Sequence, residues 1–186
     1  MKSKILIILI LIFSQLFYSC SLIDQIDIYL DQHKNLRFEK RTDKLINKLH
    51  ESADTVYCYS GFDYHDLFWY HKDGYIHSFE LERYSTKKNK PVEAKNIMFD
   101  SDSLKIYFAS SFVKDIKCFN ARLGGESIKI YIKGEKLLFS SLDIRCLLQK
   151  KYPKNSFPYK LQYDFSIVLK NYYDDFNYDF EKMYSD

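Results

Sequence analysis

The sequence predicts an α+β fold: a mostly antiparallel sheet with helices at its N-terminal and C-terminal ends. Three observations carry that expectation. Apolar residues recur at helical spacing before residue 50, short aromatic and β-branched runs joined by turns follow from Asp54, and an i, i+4 aromatic stripe closes the chain. Taken in order, Leu22, Ile23, Ile26, Tyr29 and Leu30 share a helical phase, and Asp31 to Asn35 is a polar break. Phe38, Leu45, Ile46 and Leu49 then resume in another phase, giving two helices or one bent one. Between His33 and His50 six basic residues stand against Glu39 and Asp43, the composition of a solvated helix face that could also lie against anionic headgroups. Strands are expected at 55–60, 65–71 and 75–83, with Lys72-Asp73-Gly74 as a turn. Lys87 to Lys95, with four lysines and Pro91, reads as a loop, 96–100 as a strand, and 104–119 as either helix or strand. Residues 127–133 and 136–139 form a hairpin turning at Gly134. Ser140 with Asp143 opens a helix that runs to Lys150 and stops before Tyr152-Pro153. The run from Tyr159 to Leu169 reads as a long strand, and Tyr172 to Tyr184 as a final helix. No internal repeat is visible.

Charge narrows the function classes. The 186 residues hold 28 basic and 25 acidic side chains, a net charge of +3, and 46% are apolar. Lys2 and Lys4 fall in the first 19 residues, so the chain from Cys20 onward carries 26 basic against 25 acidic groups, a net charge of +1. A nucleic-acid partner is not expected, because gripping a phosphate backbone requires a cationic surplus. Disorder is not expected either, with only 5 Gly and 3 Pro beside ample apolar content.

The first residues have the anatomy of an export signal: Lys2 and Lys4, then nine uninterrupted apolar residues from Ile5 to Phe13. A spanning helix needs about 20 apolar residues, and the run to Tyr18 is shorter. Leu16-Phe17-Tyr18-Ser19-Cys20 resembles the lipobox of bacterial lipoproteins, although Phe17 and Tyr18 stand where that family usually has Leu and a small residue. The resemblance implies a signal peptide over 1–19, cleavage after Ser19, and diacylglyceryl and acyl groups on Cys20 that anchor the chain in a bilayer. Residues 20–186 are then read as one α+β domain, held in the cell envelope on the periplasmic or outer side.

Candidate chemistry concentrates in one hairpin, where His65, His71 and His77 invite a metal or acid-base reading. Register decides what they can do. A two-residue Asp73-Gly74 turn puts His71 and His77 on opposite faces, whereas a three-residue turn with a Gly bulge puts all three histidines on one face with Trp69. The second gives the cleaner apolar face and is the register expected. Even so, His65 and His71 lie about 20 Å apart along the strand, so only His71 and His77 could cooperate. A partly buried aromatic neighbour is the ordinary role for each.

Asp63 and Asp66 flank His65 without a nucleophile elbow, and Ser111 with Lys114 matches a Ser-x-x-Lys spacing without its companion motifs. Glycine spacing supplies neither a dinucleotide fingerprint nor a P-loop, and the acidic tail lacks the Gly of a calcium loop, so neither cofactor nor metal is expected. Beyond Cys20, Cys58, Cys118 and Cys146 allow one disulfide or three buried thiols. The resulting expectation is an envelope lipoprotein whose folded part is a non-enzymatic binding or interaction module for a protein or small-molecule partner. Binding candidates are His71, His77, Trp69 and Asp63, and exposed tyrosines are natural contact residues. The alternative is a hydrolase using His71, His77, Asp63 and Asp66.

Overall fold

The computed structural model describes residues 29–30, 32–61, 65–94, 102–104, 118, 126–133, 135–154, 156–171 and 178–185, with backbone alone for 135–141 and 171. The chain divides into two compact units, Met1–Asp43 and Lys44–Asp186. In the first, residues 29–30 and 32–43 are helical, and the Tyr29 ring meets His33 edge-on at 4.5 Å. The polar stretch from His33 to Asn35 thus lies inside a helix rather than ending one.

In the second unit, residues 44–49 are helical (α1), with Leu45, Ile46 and Leu49 buried on one side, the i, i+1, i+4 pattern of an apolar stripe. Seven described strands form an antiparallel sheet: β1 (Thr55–Ser60), β2 (Asp66–Lys72), β3 (Tyr75–Leu81), β4 (Thr86–Lys88), β5 (Val92–Glu93), β6 (Ser127–Ile132) and β7 (Glu135–Ser141). Their order is β4-β3-β2-β1-β6-β7, with β5 also pairing with β3. The segment expected to be a loop from Lys87 thus contributes two short pieces to one edge. Its lysines and Pro91 are the residues that keep an edge from recruiting further strands.

The β2–β3 turn corrects the expected register. Lys72 pairs with Tyr75 and His71 with Ile76, so the turn has two residues, Asp73 and Gly74. Both have positive φ, 52° and 81°, the geometry whose twist matches that of the flanking strands. Asp tolerates this region because its short side chain bonds locally, and Gly enters it without steric penalty. That advantage outweighs the tidier apolar face of the three-residue alternative.

The largest departure lies in the run read as a strand. Phe157–Val168 is a helix (α3), preceded by α2 (Ile144–Leu148) and followed by a 3₁₀ turn (Leu169–Asn171) and by α4 (Phe180–Met183). Ser156 caps α3 by accepting from the Tyr159 N–H at 3.4 Å, and Pro158 sits in its first turn, where a missing N–H is harmless. Phe157, Leu161, Phe165 and Val168 are all buried at helical spacing. Asp164 interrupts that stripe in the sequence, and the aromatic and β-branched content around it mimics a strand. Asp143, not Ser140, caps α2, accepting from the Cys146 N–H at 2.9 Å, while Ser140 belongs to β7. Of the expected final helix, residues 172–177 lie outside the described residues, and the remainder begins at Phe180 under an Asp179 cap.

One face of the sheet, carrying Tyr57, Tyr59, Leu67, Trp69, Ile76, Ile128 and Ile130, shares a core with α2, α3 and Phe180. Phe165 of α3 is wedged against Trp69 at 5.5 Å and edge-on to Tyr59 at 5.6 Å. Gln162 extends this knit, donating to the carbonyls of Leu147 and Lys150 at 2.6 Å each, while its own oxygen accepts from the Tyr184 hydroxyl at 2.5 Å. A disulfide joins Cys118 to Cys146 on α2. Closing a loop of this sequence separation, 28 residues, restricts the unfolded chain by an amount on the order of 3.5 kcal/mol in the chain-entropy account. Cys58 stays a buried thiol on the opposite face with Val56, Phe68, Tyr70 and Leu81, all buried as well.

Candidate functional site

The polar centre of the helix-covered face is built by alternation. Trp69 and His71 are two apart on β2, so both side chains point to the same face, where α3 carries Asp164. The Trp69 indole N–H donates to Asp164 Oδ2 at 2.7 Å, and His71 Nε2 lies 3.0 Å from the same oxygen. Tyr57, directly across from Trp69 on β1, stacks on the indole at 5.4 Å and 14° and meets the His71 ring edge-on at 6.3 Å. The side chains of His71 and Asp164 are each only 6% exposed.

Burial alone pulls the His71 imidazole toward its neutral form, but the Asp164 carboxylate opposes this by charge and by hydrogen bond. The net result is a proton held above the ordinary histidine range, with Lys160 pushing the other way. Burial, reinforced by the same carboxylate, pushes the Tyr57 phenol far up, so it stays protonated. His71 Nδ1 and Asp164 Oδ1 are buried without a hydrogen-bond partner among the described residues. The arrangement can therefore hold a proton and fasten α3 to β2. A general base needs a ring nitrogen within reach of substrate, and at this burial Nδ1 is sealed from solvent.

The other candidates of the sequence are scattered. His77 lies on the opposite face, parallel to Tyr70 at 5.0 Å and 8°, so the expected pairing of His71 with His77 does not form. Asp63 lies outside the described residues, as do Ser111 and Lys114. Asp66 is buried at the start of β2 beside Ser60, which accepts from Lys129 Nζ at 2.9 Å. Burial raises the Asp66 carboxyl, with the Lys129 charge opposing it. His65 is more open, with Nε2 3.9 Å from Glu82 Oε1. Asp66 and His71 are five residues apart on one strand, about 16 Å, and point to opposite faces. Asp164 was missed in the sequence because it sat inside an expected strand. The signal available was a lone carboxylate in an otherwise apolar and aromatic run, which is stable only with a buried donor opposite.

No group of three His, Cys, Asp or Glu side chains suited to a metal occurs among the described residues. A cleft of about 450 Å³ opens beside α3 and α4, lined by Tyr163, Ile167, Lys170, Tyr178 and Phe180 among others. No described helix is long and apolar enough to cross a membrane. Comparison with protein-family models, curated proteins and solved structures finds no match to this chain.

Proposed function

We propose that the chain is a lipoprotein of a bacterial cell envelope, anchored through acylated Cys20, whose folded part is a binding module rather than an enzyme. The observation that carries the reading is the apolar run ending in Ser19-Cys20, and the Cys118–Cys146 disulfide supports it from the folded part. Such bonds belong to oxidising compartments, which an exported chain reaches. The preference for binding over catalysis rests on the sealed His71–Asp164 pair and on the separation of His71 from His77 by the thickness of the sheet.

The test is metabolic labelling with palmitate of the wild-type chain and of Cys20→Ala. Label on the membrane-fraction wild type and none on the variant is the expected result. An unlabelled wild type removes the lipoprotein reading.

A further inference from the structure

The helix of the first unit presents two unlike faces. Lys34, Phe38, Arg41 and Thr42 are half-buried, whereas His33, Leu36, Arg37 and Lys40 are exposed. At 3.6 residues per turn, Tyr29, His33, Leu36 and Lys40 fall in one line at i, i+4, i+7 and i+11, with Leu30 and Arg37 alongside. The edge-on contact of the Tyr29 and His33 rings at 4.5 Å ties the first turn to the same face.

Large apolar side chains concentrate on this outward face. Tyr29 is 59% exposed, Leu30 45% and Leu36 53%, which is half of the six large apolar side chains exposed among the described residues. Scattered exposed apolar groups are ordinary, but three on one side of one helix form a patch. The cations beside them are Arg37 and Lys40. Glu39 and Asp43 lie on the flank of the face, Asp43 at the end away from Cys20.

The distance from Cys20 indicates what covers this patch. Cys20 precedes Tyr29 by nine residues, a stretch that reaches at most about 32 Å when fully extended. With Cys20 acylated, the start of the helix is held within that distance of the lipid headgroups. Asp24, Asp27 and Asp31 offset the basic residues between Cys20 and Asp43. Apolar contact, rather than net charge, is therefore what would draw the segment to the bilayer.

We infer that this face lies in the headgroup–acyl boundary of the bilayer that holds Cys20, with Tyr29, Leu30 and Leu36 immersed and Arg37 and Lys40 reaching lipid phosphates. Interfacial helices combine apolar groups that gain by leaving water with long basic side chains whose stems are apolar and whose heads stay wet. A tyrosine suits the same depth, its ring among acyl chains and its hydroxyl among headgroups. The assignment rests on the lipoprotein reading and adds a second membrane contact beside the acyl chains.

The test uses the full chain reconstituted in phosphatidylcholine vesicles, with an environment-sensitive fluorophore on Leu36→Cys or, as the paired control, on Asn35→Cys. Asn35 is exposed and lies about 100° round the helix from Leu36. Among the described residues Cys58 is buried and Cys118 and Cys146 are bonded, so the added thiol takes the label. Phosphatidylcholine carrying a nitroxide near the headgroup end of its acyl chain is expected to quench position 36 about two-fold or more beyond position 35. Tyr29→Ser/Leu30→Ser, surface changes that leave the fold intact, should lower the quenching at position 36 about two-fold.

Equal quenching at the two positions overturns the assignment, as does a Tyr29→Ser/Leu30→Ser variant quenched like wild type. A blue-shifted label at position 36 that escapes the nitroxide and follows protein concentration also overturns it, in favour of a second copy on this face. Palmitate on the chain without quenching at position 36 removes the helix contact and leaves the anchor. Quenching at position 36 in a chain without palmitate removes the anchor and leaves the helix on the bilayer.

Discussion

His71 and His77 belong to the same hairpin, on neighbouring strands, yet the structure treats them as opposites. His71 faces α3, shares a carboxylate oxygen with Trp69 and holds its proton more tightly than an ordinary histidine. His77 faces outward between Lys72 and Lys88. Burial and those two charges make its proton easier to lose. The difference is one of strand parity, since residues on opposite sides of the pleat share a backbone and almost nothing else. Residue type thus says little about a histidine until register assigns its neighbours.

Removing the acceptor on the buried side should have the largest effect. Asp164→Ala leaves the Trp69 N–H and the His71 ring buried without their shared acceptor, which we expect to destabilise the fold by about 1–3 kcal/mol for each group left unsatisfied. Asp164→Asn should lose less, because an amide oxygen still accepts from Trp69. The outward counterpart, Lys72→Ala, should stay within about 0.5 kcal/mol of wild type. Denaturant midpoints at constant m-value measure all three. If Asp164→Ala behaves like the surface variant, the cluster does not fasten α3 to the sheet.

The two-residue turn is what separates the faces, and it offers the next effect in size. A side chain at Gly74 meets nothing within 4 Å, so any loss in Gly74→Ala comes from its φ of +81° and not from crowding. That conformation costs an L residue about 1–2 kcal/mol. Gly74→Asn should recover part of it, since Asn tolerates the left-handed region. Equal stability of the alanine and glycine forms would point to the three-residue turn that the apolar pattern alone suggested.

What the sequence disclosed follows the range of the forces involved. The strands from Thr55 to Leu81, the Ser127–Ser141 hairpin and the α+β class were legible, because alternation and turn residues are local signals. The helix over Phe157–Val168 was not. Asp164 broke its apolar stripe, and the partners that make a carboxylate acceptable there, Trp69 and His71, lie 95 and 93 residues away. Trp69 and His71 were both singled out from the sequence, but with His77 in place of Asp164. The exchange follows from one unit of register and one misread helix. The choice between a disulfide and three thiols was equally long-range. Cys118 and Cys146 meet only because α2 packs where Leu142, Ile144 and Leu147 join the core.

The smallest effects are set by pH, and they carry the contrast between the faces in their sign. The proton on His71 is bound more tightly in the folded chain than in the unfolded one. Its contribution is therefore fully present below the ordinary histidine value of about 6.5 and disappears as pH rises through the higher folded value. His77 runs the other way. Its folded value is depressed, so its contribution is present above about pH 6.5 and is lost as pH falls through the lower folded value. His71→Gln should flatten the alkaline side of the stability profile and His77→Gln the acidic side, the latter weakly because its ring is partly open to water. His77→Ala adds the loss of one stacked ring, about 0.5–1.5 kcal/mol. Side-chain ¹⁵N titrations of the two histidines measure both directions without relying on unfolding. Midpoints that move the same way for His71 and His77 would mean that the carboxylate and the lysines do not govern the two sites as their positions on the sheet require.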